Sequence, residues 1–315
     1  MKEKKPVFIL TGPTGCGKTE IIENLPDDLP IEIISADSRQ VYKLLKIGTA
    51  MPSDEVQKKY PHHLLNFLSL RERFSAGKFV KESLKLILEI HERNKIPVVV
   101  GGTFFYILSL WDGLLKEPEI PIILKNEVED MTYREAWEEL SKLDPISAEK
   151  IGKNDVYRTK RALLITMASD KPFSMHFREG GIYNEFNFTG WYLDLPREEL
   201  YERINKRVYK MFDDGLLNEI DEVFAHKYSS VDPGLRTIGY REILRFYERL
   251  NPKPSSITKI LPVVLNDIKE LISISTRRFA KRQLTWFRNE SRLIKLEKKD
   301  ALQTVENAIK AAIVS

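Results

Sequence analysis

The sequence has a single cysteine, Cys16, in 315 residues, so no intramolecular disulfide can form and no cysteine-based zinc site exists. No apolar run approaches the ~18–20 residues that a membrane-crossing helix needs. The basic start, Met1 to Pro6, is followed by only four apolar residues before Thr11, too few for a secretory leader. A cytoplasmic protein with no membrane contact is expected. Glycine (15 residues) and proline (16) are at ordinary levels, which excludes fibrous and low-complexity classes. The net charge of +4 is small and by itself implies no polyanionic partner. One acid is also missing. The apolar run Val98–Val100 ends in Gly101-Gly102-Thr103 with no carboxylate behind it, so it is not an ordinary Walker B strand.

The strongest positive signal is Gly12-Pro13-Thr14-Gly15-Cys16-Gly17-Lys18-Thr19, directly after the apolar run Val7–Leu10. This is a complete phosphate-binding loop in its strand–loop–helix context. Its glycines let backbone N–H groups turn inward onto phosphate oxygens, Lys18 adds a point charge, and the Thr19 hydroxyl can ligate Mg²⁺. The loop alone does not distinguish a nucleoside triphosphate from another phosphate or diphosphate.

Short apolar runs alternate with helical patterns through the first hundred residues: strands at Val7–Leu10, Ile31–Ser35 and Pro97–Val100, helices at Lys18–Asn24 and Phe79–Arg93. Such alternation predicts an α/β fold, a parallel sheet flanked by helices with ligands at the carboxyl ends of its strands. Gly12–Thr19, Asp37 and Thr103 should therefore converge. Leu114–Pro121 looks like a hinge, 126–170 reads as helices broken at Asp144-Pro145, and Lys171–Thr189 reads as a loop. Trp191–Leu195 should return to the sheet, and from Pro196 the pattern is helical. The predicted organisation is a core of residues 1–117 and 190–315 with a mainly helical insertion at 118–189.

Several residues could carry chemistry. Asp37 ends a strand and could serve as Mg²⁺ ligand or general base. The glycines before Thr103 should let its hydroxyl approach a ligand. Arg203 and Arg207 lie one helical turn apart, and arginine forks match diphosphate, although a solvated helix face has the same pattern. Three basic, aromatic patches stand out: Tyr157, Arg158, Lys160 and Arg161; Arg236, Gly239, Tyr240 and Arg241; and residues 276–295, with seven Lys or Arg against one Glu. In the last, Arg277, Lys281 and Arg288 share one helical face and Phe279 and Trp286 are a heptad apart, which suits phosphates outside and stacking or packing inside. His62-His63 has no partner ligands at metal spacing and reads as loop or cap. Cys16, at a helix start, is expected to be alkylated with loss of activity, and bound diphosphate should protect it.

Taken together the chain resembles the tRNA dimethylallyltransferases (tRNA isopentenyltransferases), bacterial type. The similarity rests on the phosphate loop, Ser35–Tyr42 continuing to Ile47–Ala50, Pro61–Leu64, Val99–Thr103, Asp144-Pro145, Asn154-Asp155 with Arg158 and Arg161, Leu193–Leu195, Ile238–Tyr240 and Thr276–Arg288. Phe104-Phe105 stands where the family pattern has Gly-Leu, and Gly15-Cys16 where Ala-Ser is common.

The resemblance implies a P-loop NTPase-like fold. It implies transfer of a dimethylallyl group from dimethylallyl diphosphate to N6 of the adenosine just 3′ of the tRNA anticodon. Asp37 would be the general base, with Thr103 at the reaction centre. Lys18 and Arg207, with Arg203, would hold diphosphate beside the loop, and Mg²⁺ would sit on Thr19. Asp37, Ser38, Arg39 and Gln40 would read a flipped-out adenine. The three basic patches, including Lys281, Arg282, Gln283, Trp286 and Arg288, would grip the anticodon stem-loop. A monomer is expected. Two other readings stay open: a P-loop kinase of a nucleotide or small molecule, and an isopentenyltransferase acting on free adenine nucleotides.

Overall fold

Continuous apolar runs build the larger of two units. The computed structural model describes residues 4–113, 118–152, 154–169, 171–175, 185–250, 256–259 and 262–314. Among them β1 (Lys5–Thr11), β2 (Ile31–Ser35), β3 (His62–His63), β4 (Ile96–Gly101), β5 (Phe186–Leu193) and β6 (Leu293–Leu296) form one sheet, in the order β3-β2-β4-β1-β5-β6. Every pairing is parallel; Phe8 stands opposite Val98 on one side and Thr189 on the other. β1, β2 and β4 are buried almost throughout, as strands covered on both faces must be.

Helices α1 (Lys18–Asn24), α2 (Asp54–Lys59), α3 (Ala76–Glu92) and α4 (Phe104–Asp112) connect these strands. After β5 come α9 (Arg197–Asp213), α10 (Leu216–Ala225), α11 (Tyr240–Tyr247) and α12 (Pro262–Asn289), and after β6 comes α13 (Lys298–Val314). One core joins Phe8, Leu10, Val98 and Leu193 of the sheet to Leu200 and Ile204 of α9, Ala280 of α12 and Val305 of α13. A second joins Val41 and Leu45 to Ile220, Tyr240 and Ile272.

The chain divides into Met1–Trp111 with Asn184–Ser315, and Asp112–Tyr183. The second unit holds α5 (Ile122–Asp130), α6 (Tyr133–Leu143), α7 (Pro145–Lys150) and α8 (Val156–Ala168) around Val128, Leu140, Ala162 and Leu163. Its boundaries have local causes. Thr132 and Glu135 form a capping box, the Asp144 carboxylate caps α7 with Pro145 in the first turn, and Asp155 caps α8.

Three expectations need correction. His62-His63 is not a loop but an edge strand paired with β2. The C-terminal part is not all helical: α12 stops at Asn289 and Leu293–Leu296 adds the opposite edge strand. Phe186–Thr189 is strand, not loop; Phe186 is buried and Asn187 exposed, an alternation masked by neighbouring Asn and Gly. The remaining parts of the expected segments at 114–117 and 176–184 lie outside the described residues.

Buried Glu32 ties the β3 edge to the sheet. Its carboxylate accepts from Arg93 (2.6 and 3.0 Å), meets His63 Nε2 at 2.7 Å and pairs with Lys95 at 3.1 Å. Burial alone would raise its pKa, but the hydrogen bonds from Arg93, His63 and Lys95 prevail and hold it at about 2 instead of 4.5. A depressed carboxylate stabilises the fold above its unfolded pKa and loses that contribution as pH falls through the folded value. Glu32→Gln should therefore cost on the order of 2–3 kcal/mol at pH 7. Between pH 4.5 and 2 the deficit should shrink. Urea unfolding of both proteins at neutral pH and near pH 3 checks this, and an unchanged deficit contradicts it.

Candidate functional site

β1 delivers the phosphate loop at the carboxyl edge of the sheet. Gly12 has φ +143°, and a Cβ there would meet Cys16 Sγ at 2.8 Å and the Leu193 backbone at 3.1 Å, so only glycine fits. Lys18 Nζ donates to the carbonyls of Gly12 and Pro13, both at 2.9 Å, which centres its charge on the loop. Gly17 caps α1 in a left-handed conformation, and Thr19 lies exposed on the first turn.

Two distant helices reach into this loop. The Thr14 N–H donates to Gln283 Oε1 of α12 (2.9 Å), while Arg207 Nη2 of α9 donates to Thr14 Oγ1 (2.7 Å). One turn earlier, Arg203 donates to Gly15 O (3.0 Å) and pairs with Glu20 (2.7 Å). α9 buries Leu200, Ile204, Val208 and Met211, and this stripe sets both arginines beside the loop. Arg207 Nε is buried with no partner. Burial pushes the Arg207 pKa down, while Asp37 and Cys16 pull it back up.

The strand ends beside the loop carry the other candidates. Asp37 follows β2, and its Oδ1 accepts the Arg39 N–H (2.8 Å). Thr103 follows β4; its Oγ1 accepts the Ser38 N–H (3.0 Å), and its own N–H donates to Ala36 O (3.1 Å). A Cβ on Gly101 would run into the Ala36 backbone, and one on Gly102 into Gln283 Nε2. Gly101 therefore lets β4 close on the Ala36 backbone and Gly102 makes room for Gln283 of α12, where the sequence suggested close approach to a ligand. Lys18, Thr19, Ser35, Asp37, Gln40 and His62 line one small cavity of about 50 Å³, floored by Ile22, Ile33, Leu65 and Val100. His62 Nδ1 donates to Tyr60 O (2.7 Å), since a carbonyl can only accept, and burial lowers its pKa. The structure thus gathers Gly12–Thr19, Asp37, Thr103, Arg203 and Arg207 at one edge of the sheet.

The sequence-based RNA contacts divide. Arg39, Arg236, Lys281, Arg282, Trp286 and Arg288 are exposed, with Arg288 paired to Asp194 (2.7 Å). In the second unit Tyr157 is 79% exposed, Arg158 is exposed and paired with Asp155, Lys160 donates to Glu129 O, and Arg161 is half-buried. Four expected contacts are turned inward. Gln283 is 6% exposed, its oxygen on Thr14 and its nitrogen on Gly102 O (2.7 Å). Tyr240 is fully buried with its hydroxyl on Glu219, and Gly239 is buried at the start of α11. Gln40 donates to Thr49 O and Ala50 O (3.3 and 3.0 Å). Arg277 is likewise held by Asn205 and Glu270.

Glu219 escaped the sequence reading. Its carboxylate accepts the N–H groups of Lys46 and Ile47 (both 2.8 Å) and Gly48 (3.3 Å), bracing the loop that holds Gln40. The available signal was an acid on the apolar face of α10, between Leu216, Ile220 and Val223.

A family model described as IPP transferase matches residues 40–290. Curated relatives include tRNA dimethylallyltransferase 1 of Syntrophotalea carbinolica, 34% identical over 94% of this chain and 92% of its own. The tRNA dimethylallyltransferase of Leptospira interrogans is 36% identical over 96% of this chain and 98% of its own. Among solved structures, the full-length tRNA isopentenylpyrophosphate transferase of Bacillus halodurans superposes with TM-score 0.68 at 30% identity, covering 99% of this chain and 97% of that one. A eukaryotic dimethylallyltransferase acting on tRNA gives TM-score 0.79 at 29% identity, covering 98% and 78%.

The reactive thiol expected at position 16 is overturned by burial: the Cys16 side chain is fully enclosed in the loop. A buried thiol reacts only when the structure opens. A chromogenic disulfide reagent should label native protein far more slowly than protein in denaturant. Equal rates would contradict the burial of Cys16.

Proposed function

The chain belongs to the IPP transferase family, and on that premise we propose how its residues act. It is a tRNA dimethylallyltransferase in activity: it moves a dimethylallyl group from dimethylallyl diphosphate to N6 of the adenosine 3′ of the tRNA anticodon, releasing diphosphate. Arg207 carries the assignment of the diphosphate site. A guanidinium pressed against a phosphate loop, with a buried and unpartnered Nε, wants an anion, because an unpaired buried donor is costly. Lys18 adds a second charge, and the loop N–H groups beyond Thr14 complete the cradle. These groups stabilise charge that grows on the leaving oxygen, which is where electrostatic catalysis acts.

In the reaction N6 attacks the allylic carbon, the carbon–oxygen bond breaks with its electron pair leaving on diphosphate, and the N6 proton goes to Asp37. The Arg39 N–H holds one Asp37 oxygen and leaves the other for that proton. Thr103, fixed by Ser38, stands beside it as a hydroxyl partner at the reaction centre.

Among the described residues no group of three His, Cys, Asp or Glu could hold a metal ion alone. Thr19 and Asp37 nevertheless line one cavity. An oxygen donor or two from protein, completed by phosphate oxygens and water, suits Mg²⁺. Thr19 would hold it, and when bound it neutralises charge on the diphosphate.

The exposed cations and aromatics of α12, with Arg39, Arg236, Tyr157 and Arg158, supply the RNA grip. Among the described residues no helix is long and apolar enough to cross a membrane. This reading places the protein with its tRNA substrate in the cytoplasm.

Label from dimethylallyl diphosphate should enter unmodified tRNA and not AMP. Entry into AMP alone would favour the free-nucleotide reading. Asp37→Ala should slow transfer by roughly 10²–10⁴-fold at saturating substrates, the usual worth of a general base; near-normal turnover removes that role. Affinity for tRNA should fall steeply with added salt as phosphate contacts are screened.

A further inference from the structure

Glu219 of α10 is a nearly buried carboxylate, 8% exposed, that the reaction above does not use. Its oxygens accept from neutral donors. Oε2 takes the N–H groups of Lys46 and Ile47 (both 2.8 Å), and Oε1 takes the Gly48 N–H (3.3 Å) and the Tyr240 hydroxyl. Burial, and after it the Glu219 charge, pushes the Tyr240 pKa well up, so the hydroxyl stays a donor. The Gly48 N–H also reaches Tyr240 Oη at 2.9 Å, and a Cβ on Gly48 would strike the Tyr240 ring at 2.4 Å.

The loop held in this way needs holding. Leu44 and Ala50 have φ of 68° and 50°, left-handed values that side chains disfavour and that persist where the surroundings enforce them. The loop turns the carbonyls of Thr49 and Ala50 onto Gln40 Nε2 (3.3 and 3.0 Å). A carbonyl only accepts, so both amide hydrogens of Gln40 are spent there and the polarity of the amide is fixed. At its other end Oε1 accepts the Ser35 hydroxyl (3.2 Å) and keeps one lone pair. Gln40 lines the same cavity as Asp37 and Lys18. To that cavity it offers an acceptor and no donor.

We propose that Glu219 is a positioning residue that acts through residues 46–50. It fixes Gln40 so that Oε1 accepts an N–H of the target amine and rejects a base with a carbonyl at that place. The proposal rests on the transferase reading above and names how that site tells an amino base from an oxo base. N6 of adenosine carries two hydrogens. One leaves to Asp37 and the other stays on nitrogen, where Gln40 Oε1 holds it. A base with oxygen at that position sets two acceptors face to face with no proton between them. Such an unpaired polar contact discriminates between analogues more sharply than an apolar wall does.

The test uses the full-length protein and anticodon stem-loops with adenosine or inosine at the target position. The wild type should bind the adenosine stem-loop at least roughly tenfold tighter. Gln40→Met removes the acceptor, and Glu219→Gln sets an NH₂ against backbone N–H groups. Each should cut the ratio of the two dissociation constants by about 3–10-fold, the worth of one hydrogen bond. Asp37 is intact in both, so its share of the ratio cancels. The double variant should lose no more than the larger single loss, since both act on one contact. Tyr240→Phe, a milder change at the same brace, should lower the ratio in the same direction and provides the reading if Glu219→Gln does not fold. Inorganic diphosphate should bind every folded variant as it binds the wild type. A loosened fold weakens both RNAs alike and leaves the ratio unchanged, so a ratio within about twofold of wild type in Gln40→Met, or in the folded brace variant, overturns the proposal. Additive losses in the double variant overturn it as well. Transfer by the wild-type protein to the adenosine stem-loop reports separately on the transferase reading.

Discussion

Thr14 is held from two sides, and the candidate site depends on that clamp. Gln283 of α12 takes its N–H and Arg207 of α9 takes its hydroxyl. Both partners come from the far end of the chain, more than 190 residues away. A glycine-rich loop is soft on its own, since glycine restricts the backbone least. Here side chains from two packed helices fix its shape, with Lys18 folded over its carbonyls. The N–H groups of Thr14 and Cys16 are already used inside the protein, on Gln283 and on Pro13 O (3.3 Å), so the proposed diphosphate would have to be met by other N–H groups of the loop.

The same economy of polar groups orders the surroundings. Glu219 gathers three consecutive N–H groups of residues 46–48, and the carbonyls just beyond, of Thr49 and Ala50, hold Gln40. Gly48 is small because Tyr240 packs where its Cβ would stand. Buried groups with all their hydrogen bonds made rigidify a site, and groups left unmade point to something missing. Arg207 Nε is of the second kind, next to the loop whose sequence advertises phosphate. α12 presents two different faces. Its buried stripe, including Ala280, Gln283 and Phe287, braces the loop, while Lys281, Arg282 and Trp286 remain outside.

Local signals were legible in the sequence. The central strands showed as apolar runs, and the loop by its glycines and lysine. The break at Asp144-Pro145 is a cap, with one carboxylate oxygen on the Ser147 N–H three residues on, although the other oxygen also takes the distant Ser174 N–H. The edge strands were not legible: His62–His63 is too short for any periodicity, and Leu293–Leu296 has its buried residues only at its two ends. Roles that depend on distant partners were misread. Gln283 and Tyr240 sit in basic, aromatic stretches that look like RNA contacts, but their partners lie up to 269 residues away and leave no local trace. The glycines before Thr103 were seen as permitting close approach, which they do, though to the Ala36 backbone and the Gln283 side chain. A sequence can show that a position must be small or polar. What it faces is decided by packing.

The central claim is that Arg207 completes a diphosphate site with the loop. Calorimetric titration of inorganic diphosphate with Mg²⁺ into the wild-type protein and Arg207→Met tests it directly. Removing a charge-assisted contact of this kind should weaken binding at least roughly tenfold. Equal affinity in the two proteins would contradict the account.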